Sequence, residues 1–308
     1  MPRVSVVIPV YNGAATVAAA IESALSQHFE DAFEVIAVND GSTDSTPAVL
    51  ASFGDRIIVV TRQNGGLSAA RNSGVAIARG EFVAFLDADD VWMPERLAVT
   101  VAALDAHPAA VMSYSDAIQT DENGATLAES VVTPALARAP AMADLFERWW
   151  PILPSTILVR RSIYDRLGGF VSEMRSYEDM DFWLRARELG EFVYVPRALV
   201  VYRVSPSSDR LVKYEQSYDL FVRRVTARYG RAARPMLRAV RHAHSTALGF
   251  RGLAAMRNGD MRAARRSFIR ALRFEPAATK MILRLMRTFL PRPIARMLTG
   301  RTRGAPLD

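Results

Sequence analysis

Apolar runs and helical stripes alternate along the first ninety residues. Val4–Val10 is a nearly unbroken apolar run, and from Ala14 to Gln27 the residues Val17, Ile21 and Leu25 recur on one helical face. Glu34–Asn39 is apolar again and stops at Asp40-Gly41-Ser42. Arg56–Thr61 is β-branched, and Leu67, Ala70, Gly74 and Ile77 form one stripe of a helix over Leu67–Arg79. Phe82–Leu86 is wholly apolar and stops at Asp87. Strands without polar alternation are buried on both faces. The pattern therefore predicts an α/β fold with a mostly parallel central sheet flanked by helices.

Past residue 90 the periodicity loosens. Ala109–Thr120 reads as a strand ending in the turn Asp121-Glu122-Asn123-Gly124. Met142–Trp150 reads as helix, Ser155–Val159 as a short strand and Tyr177–Gly190 as an amphipathic helix. Phe192–Tyr202 is β-rich but interrupted by Pro196, and from Lys213 onward the sequence is almost entirely helix-forming. Two domains are expected, an α/β domain over 1–212 and an all-helical extension over 213–308. In the extension Ala264, Phe268, Ala271 and Pro276, with Gly252 and Gly259 upstream, have the spacing of one tetratricopeptide hairpin. An ordinary helical pair is the alternative.

Charge divides the chain at nearly the same place. Residues 1–210 carry a net −10 and residues 211–308 a net +17, almost all from arginine. In Lys280–Leu298 the apolar Met281, Ile282, Leu285, Met286, Phe289 and Leu290 recur at helical spacing among Arg284, Arg287, Arg292 and Arg296. Such a helix suits an anionic membrane surface; packing on the preceding helices is the alternative. Gly300–Asp308 is expected to be a frayed end. Nucleic acid is not an expected partner, because the arginines lack interleaved aromatics and any recognisable module. His242-x-His244 is expected at the surface, its two rings on different helix faces.

The 308 residues contain no cysteine. That excludes a disulfide framework, a zinc-thiolate site and a thiol nucleophile. No apolar run approaches the length of a membrane span, and Met1-Pro2-Arg3 before Val4 is too short for a signal peptide. A cytoplasmic protein is expected, with peripheral contact at the inner face of the membrane through its tail. Without G-x-G-x-x-G or a lysine behind a Gly-rich loop, dehydrogenase and P-loop readings fail.

The candidate chemistry sits where buried strands stop. Asp87-Ala88-Asp89-Asp90 directly follows Phe82–Leu86. Residues i and i+2 of an extended chain point the same way, so Asp87 and Asp89 can converge on one ligand. Two close carboxylates repel unless a cation compensates, and a hard divalent ion bridging carboxylate and phosphate oxygens meets that need. A solvated acidic turn is the alternative. Asp40 ends an earlier strand in the same way, either as an acceptor for a nucleobase imino N–H or as a helix cap. Tyr11 follows the first strand and either stacks on that base or packs at the rim. Arg71, one turn into the Leu67 helix, either reaches a diphosphate or base, or forms an ordinary ion pair.

These segments resemble family 2 glycosyltransferases of the GT-A fold. The resemblance lies in Val4-Ser5-Val6-Val7-Ile8-Pro9-Val10-Tyr11-Asn12, Val38-Asn39-Asp40-Gly41-Ser42-Thr43-Asp44, Asn64-Gly65-Gly66-Leu67-Ser68-Ala69-Ala70-Arg71-Asn72-Ser73-Gly74 and Phe85-Leu86-Asp87-Ala88-Asp89-Asp90. A fifth match is Tyr177-Glu178-Asp179-Met180-Asp181, and the whole covers residues 3–205.

The resemblance implies a Rossmann-like GT-A domain that transfers a sugar from a nucleotide-diphosphate donor, UDP-linked by expectation, to a hydroxyl acceptor. Cell-surface polysaccharide or glycolipid synthesis would be its setting. Pro9, Tyr11, Asp40, Arg71 and Asp87 would hold the nucleotide. Asp89, with Asp87, would ligate Mg²⁺ or Mn²⁺, and Asp179 would be the general base of an inverting displacement. Glu178 and Trp183 would border the acceptor, although a helix-face tryptophan is also an ordinary core residue. The first-turn acids Glu178, Asp179 and Asp181 could equally complement a helix dipole. One departure stands out: many relatives have a histidine after the late Tyr-Arg strand, whereas here Tyr202-Arg203 leads into Val204-Ser205-Pro206. That leaves water, diphosphate or Ser205 for the position. An inactive nucleotide-binding protein on the same fold is the alternative reading.

Overall fold

Strand β1 (Val4–Val10) is buried at every position, as its apolar sequence requires. The computed structural model describes residues 1–132, 142–147, 152–204 and 210–289. After β1 come α1 (Val17–Leu25), β2 (Phe33–Asn39), α2 (Thr46–Ala51), β3 (Ile58–Thr61), α3 (Leu67–Ile77) and β4 (Phe82–Phe85). Then follow β5 (Val91–Trp92), α4 (Arg96–Ala106), β6 (Ala110–Thr120), β7 (Thr126–Ala128), α5 (Met142–Glu147), β8 (Ile157–Arg160), α6 (Arg161–Leu167), α7 (Glu178–Arg187) and β9 (Glu191–Arg203). Helices α8 (Arg210–Tyr229), α9 (Arg234–Arg257), α10 (Met261–Phe274) and α11 (Thr279–Arg287) complete the described chain.

The nine strands form one sheet in the order β3-β2-β1-β4-β8-β6-β9-β5, with β7 beside β6. The sheet is mixed, which corrects the expectation of a mostly parallel one. β3, β2, β1 and β4 are parallel. β8 then enters antiparallel between β4 and β6, β9 runs parallel to β6, and β5 and β7 are antiparallel additions. Unbroken apolar runs report burial on two faces but not strand direction. The clear runs all fell in the parallel half.

Both prolines of the sheet occupy places that need no donor. Pro9 pairs with Val38 of β2, while the pairing of β1 with β4 ends at Val7–Phe85. The carbonyl of Val7 accepts from Leu86 on the β4 side, so position 9, two residues on, would point its missing N–H past the end of that ladder. Pro196 lies in a bulge: Ser115 pairs with Val195 but Asp116 pairs with Ala198. The interruption read from the sequence is thus absorbed within a single strand.

The chain divides into two compact units, Met1–Ala232 and Ala233–Asp308. The packing boundary falls later than the compositional one at 213 because α8 packs within the first unit. Phe221 of α8 stacks on Tyr177 with ring centres 4.8 Å apart, and Arg224 pairs with Asp181. Composition marks where arginine becomes frequent, not where packing ends.

In the second unit α9 and α10 form a tightly packed helical pair. Ala264, Phe268 and Ala271 are buried with Leu248. A Cβ on Gly252 would lie 2.5 Å from the Phe268 ring. Gly259 turns the chain at φ +79°, and Asp260 caps α10 by accepting the Ala263 N–H at 2.9 Å. His244 is not at the surface: it is buried against Phe274, ring centres 4.8 Å apart, and burial lowers its pKa. His242, on another face of α9, is exposed beside Glu275 at 3.0 Å. Of the helix expected over 142–150, Met142–Glu147 is described, as α5; the stretch expected over 280–298 is helical only to Arg287 and turns at 288–289, and residues 290–298, with Arg292 and Arg296, and Gly300–Asp308 lie outside the described residues.

Candidate active site

Loops after β1, β2 and β4 and the first turn of α7 carry the expected site residues. Parallel strands bring successive carboxyl ends to one edge, where an open α/β sheet places its ligands. The first two loops are knitted together. The Asn12 N–H donates to Ser42 Oγ at 3.0 Å, the Thr43 N–H to Asn12 Oδ1 at 2.8 Å, and the Gly13 N–H to Thr46 Oγ1 at 2.9 Å. Tyr11, at the tip, is 53% exposed, and Pro9 is buried in the strand behind it.

Asp40 is buried, with both carboxylate oxygens facing the segment that opens α3. Oδ1 accepts from Arg62 Nη1 at 2.7 Å and from the Gly65 N–H at 3.0 Å; Oδ2 accepts from the Gly66 N–H at 2.7 Å. Gly66 has φ +88°, and a Cβ there would lie 2.1 Å from Arg175 Nη1. The backbone angle requires glycine, and a side chain there would also push the exposed Arg175 guanidinium aside. Arg62 was not foreseen, because nothing local distinguishes it from any other loop arginine.

Arg71 of α3 is fully buried. Its Nη2 donates to Asp87 Oδ1 at 2.7 Å and its Nη1 to Glu178 Oε1 at 3.1 Å. The guanidinium lies 5.3 Å from the centre of the Phe170 ring. Burial alone would weaken its hold on the proton, but Asp87 and Glu178 outweigh that and raise its pKa. One cation therefore joins the carboxylate at the end of β4 to the acid pair that opens α7.

Asp179, the second acid of this pair, is half-buried. Burial, then the charge of Glu178, pushes its carboxyl up to about 7, against the opposing pull of the Met180 N–H at 2.7 Å and of Arg71. The residue before the pair, Tyr177, adopts φ +65°, which is costly for an aromatic side chain. Tyr177 is buried and stacked on Phe221. Ser217 Oγ of α8 accepts the N–H groups of Arg175 and Ser176 at 2.8 and 3.1 Å. Packing from α8 holds the strained turn.

Ser155 is a further junction that sequence reasoning missed. Its hydroxyl accepts the Asp87 N–H at 3.0 Å and donates to Asp90. Its carbonyl accepts from Trp92 Nε1 at 2.9 Å and Arg96 Nε at 3.2 Å. Asp90 is buried and also accepts the Arg203 N–H at 3.1 Å. Burial, aided by Asp87 and Asp89, raises its pKa well above its ordinary value. Asp90 thereby fastens the end of β9 to the acidic turn. A lone serine carries no sequence signal, whereas Asp90 was visible as the last acid of its motif.

Asp87 is half-buried and Asp89 exposed, both at the end of β4. Among the described residues no group of three or more His, Asp or Glu side chains could hold a metal ion. A two-carboxylate donor set still fits an ion that takes one or two protein carboxylates and completes its shell with water and phosphate. Glu178 faces Arg71, and Trp183 is buried, its Nε1 donating to the Ile152 carbonyl at 3.2 Å. Trp183 therefore backs the site from the core. Ser205 lies outside the described residues.

Known proteins are similar to the chain in sequence and in fold. EpsE of Bacillus subtilis (strain 168), whose name places it among glycosyltransferases, is 33% identical over 227 residues, covering 71% of this chain and 78% of EpsE. The structure of Staphylococcus aureus TarS 1-349 in complex with UDP-GlcNAc superposes with TM-score 0.59 at 20% identity, over 93% of this chain and 90% of that one. The mannosyltransferase PcManGT from Pyrobaculum calidifontis, in complex with GDP-Man and Mn²⁺, superposes with TM-score 0.58 at 21% identity, over 99% and 88%. The sequence profile of glycosyl transferase family 2 matches residues 5–168, and the chain belongs to that family.

Proposed function

We propose that the protein transfers a sugar from a nucleotide-diphosphate donor, UDP-linked in the first instance, to a hydroxyl of a cell-surface glycan or glycolipid. One observation carries this reading: Arg71 ties Asp87 to Glu178 while Asp179, beside them, holds its proton up to about pH 7. A carboxylate poised near neutral pH suits a general base, contributing roughly 10²–10⁴-fold. In this mechanism Asp179 removes the acceptor proton as the oxygen attacks the anomeric carbon. The nucleotide diphosphate leaves on the opposite face, so the anomeric centre inverts in one displacement. Arg71 does not meet the substrate as a free cation; it holds the acids in place. Tyr11 and the Asp40 loop border the nucleotide, with Pro9 fixing the strand behind them.

Asp89 and Asp87 would hold Mg²⁺ or Mn²⁺, which when bound supplies Lewis-acid neutralisation of the departing diphosphate. The Mn²⁺ complex of the mannosyltransferase neighbour supports this part. The test is calorimetry with UDP, with and without Mn²⁺, on wild type, Asp89→Asn and Asp179→Asn. UDP binding should tighten with Mn²⁺ in wild type and Asp179→Asn but not in Asp89→Asn, and Asp179→Asn should abolish transfer. Transfer that survives in Asp179→Asn places the base elsewhere, and equal UDP affinity after chelation removes the metal role.

A further inference from the structure

Exposed apolar surface and basic charge coincide in the second unit. Residues 233–289 carry thirteen arginine and lysine side chains against two acids, Asp260 and Glu275. Asp260 caps α10, and Glu275 sits beside His242. Helix α11 already uses one side for packing. Met281 is buried against Gly249, where a Cβ would lie 2.1 Å from its Cε. Leu285 joins the same cluster, and Arg265 Nη2 donates to the Thr288 carbonyl at 2.6 Å.

A second apolar stripe on α11 remains exposed. It comprises Ile282, Leu283 (53% exposed), Met286 (61%) and, just past the helix end, Phe289 (64%). At about 100° per residue Ile282, Leu283 and Met286 share one side of the helix, while Phe289, in the turn beyond it, carries the Arg265 guanidinium 4.2 Å from its ring centre. Lys280 and Arg287 fall beside that stripe on its Leu283 side, whereas Arg284 turns back towards Met281, its Nη1 3.9 Å from the sulfur. On α10 the exposed side chains Arg262, Arg266, Ile269 and Arg273 likewise fall on one face.

We propose that this face of α11, with the arginine row of α10, docks on an anionic lipid surface. Charge complementarity and pattern select that occupant. An interfacial helix sinks a narrow apolar stripe among acyl chains and keeps a basic border at the phosphate level. Leu283, Met286 and Phe289 supply the stripe, and arginine stems can lie along the interface with their heads among phosphates. A nucleic-acid groove would instead set arginine at the centre of the face, where α11 has leucine and methionine. The inference stands on the second unit alone and does not depend on the reaction proposed above.

The test is co-sedimentation of the full-length protein with phosphatidylcholine vesicles, with or without phosphatidylglycerol. Wild type should pellet only with the anionic vesicles, and salt should weaken the binding. Leu283→Glu/Met286→Glu should lower the partition coefficient roughly tenfold or more while keeping wild-type circular dichroism. Because the chain has no cysteine, Met286→Cys can carry an environment-sensitive fluorophore, which should shift blue on anionic vesicles. The proposal is overturned by equal pelleting with neutral vesicles or by an unmoved fluorophore. It is equally overturned if the glutamate variant pellets like wild type, or if the stripe proves to mediate only self-association or DNA binding.

Discussion

Arg71 in the middle of α3 donates a 3.1 Å hydrogen bond to Glu178 on the first turn of α7, across 107 residues of sequence. The other nitrogen of its fork reaches Asp87, so a single buried guanidinium spans the two halves of the site. Arg71→Met should leave Asp87 and Glu178 as close, unpaired acids. Breaking a buried pair from one side costs about 3–5 kcal/mol, so a large fall in melting temperature is expected. Arg71→Lys should rescue little, because an ammonium lacks the planar fork that meets two carboxylates at once. A melting temperature unchanged in Arg71→Met would contradict the bridging role.

Asp179 gives a pH dependence with a definite sign. Its folded pKa of about 7 lies above its ordinary value of 3.8, because burial and Glu178 disfavour the charge. The folded state therefore binds the proton more tightly than the unfolded chain. Any stability from this group is fully present below pH about 4 and lost as pH rises through 7. Asp179→Asn should raise the melting temperature relative to wild type at pH 8 and give no such gain at pH 4. Turnover should fall in wild type as pH drops below about 7, as the base becomes protonated. Paired thermal scans and a pH–rate profile check both halves.

Ser155→Ala should remove the acceptor of the Asp87 N–H and the donor to Asp90 in one step. Leaving such buried groups unsatisfied costs about 1–3 kcal/mol. Donor affinity should fall with stability, since Asp87 is displaced, and titration with UDP measures it. Ser155→Thr keeps the hydroxyl and should recover part of the loss.

Gly66→Ala should weaken nucleotide binding and stability together. The position has φ +88°, and its new methyl would collide with Arg175. Adding Arg175→Ala should relieve the collision but not the backbone strain. The double variant should therefore stay below Arg175→Ala alone in thermal unfolding; equality of the two would refute the strain.

The parallel half of the fold was legible because its strands are unbroken apolar runs and their ends are marked by acids. Asp40 and Asp87 could be singled out for the same reason, and Arg71 and Asp179 through the family resemblance of their segments. Their partners could not. Arg62, Ser155 and Ser217 are ordinary polar residues in sequence, and only topology brings them to Asp40, to Asp87 and to the turn before Tyr177. The direction of β8 was hidden as well, since four residues that are mostly buried read alike in either sense. His244 was misjudged because one histidine in an arginine-rich helix gives no sign that it faces a neighbouring aromatic ring.

Helix α8 braces the turn before Glu178 through Ser217 and Phe221 and reaches Asp181 through Arg224. A fragment trimmed at residue 212, where the arginine-rich composition begins, would amputate that brace and leave the acids that open α7 on a slack hinge. A fragment ending at residue 232 would retain it.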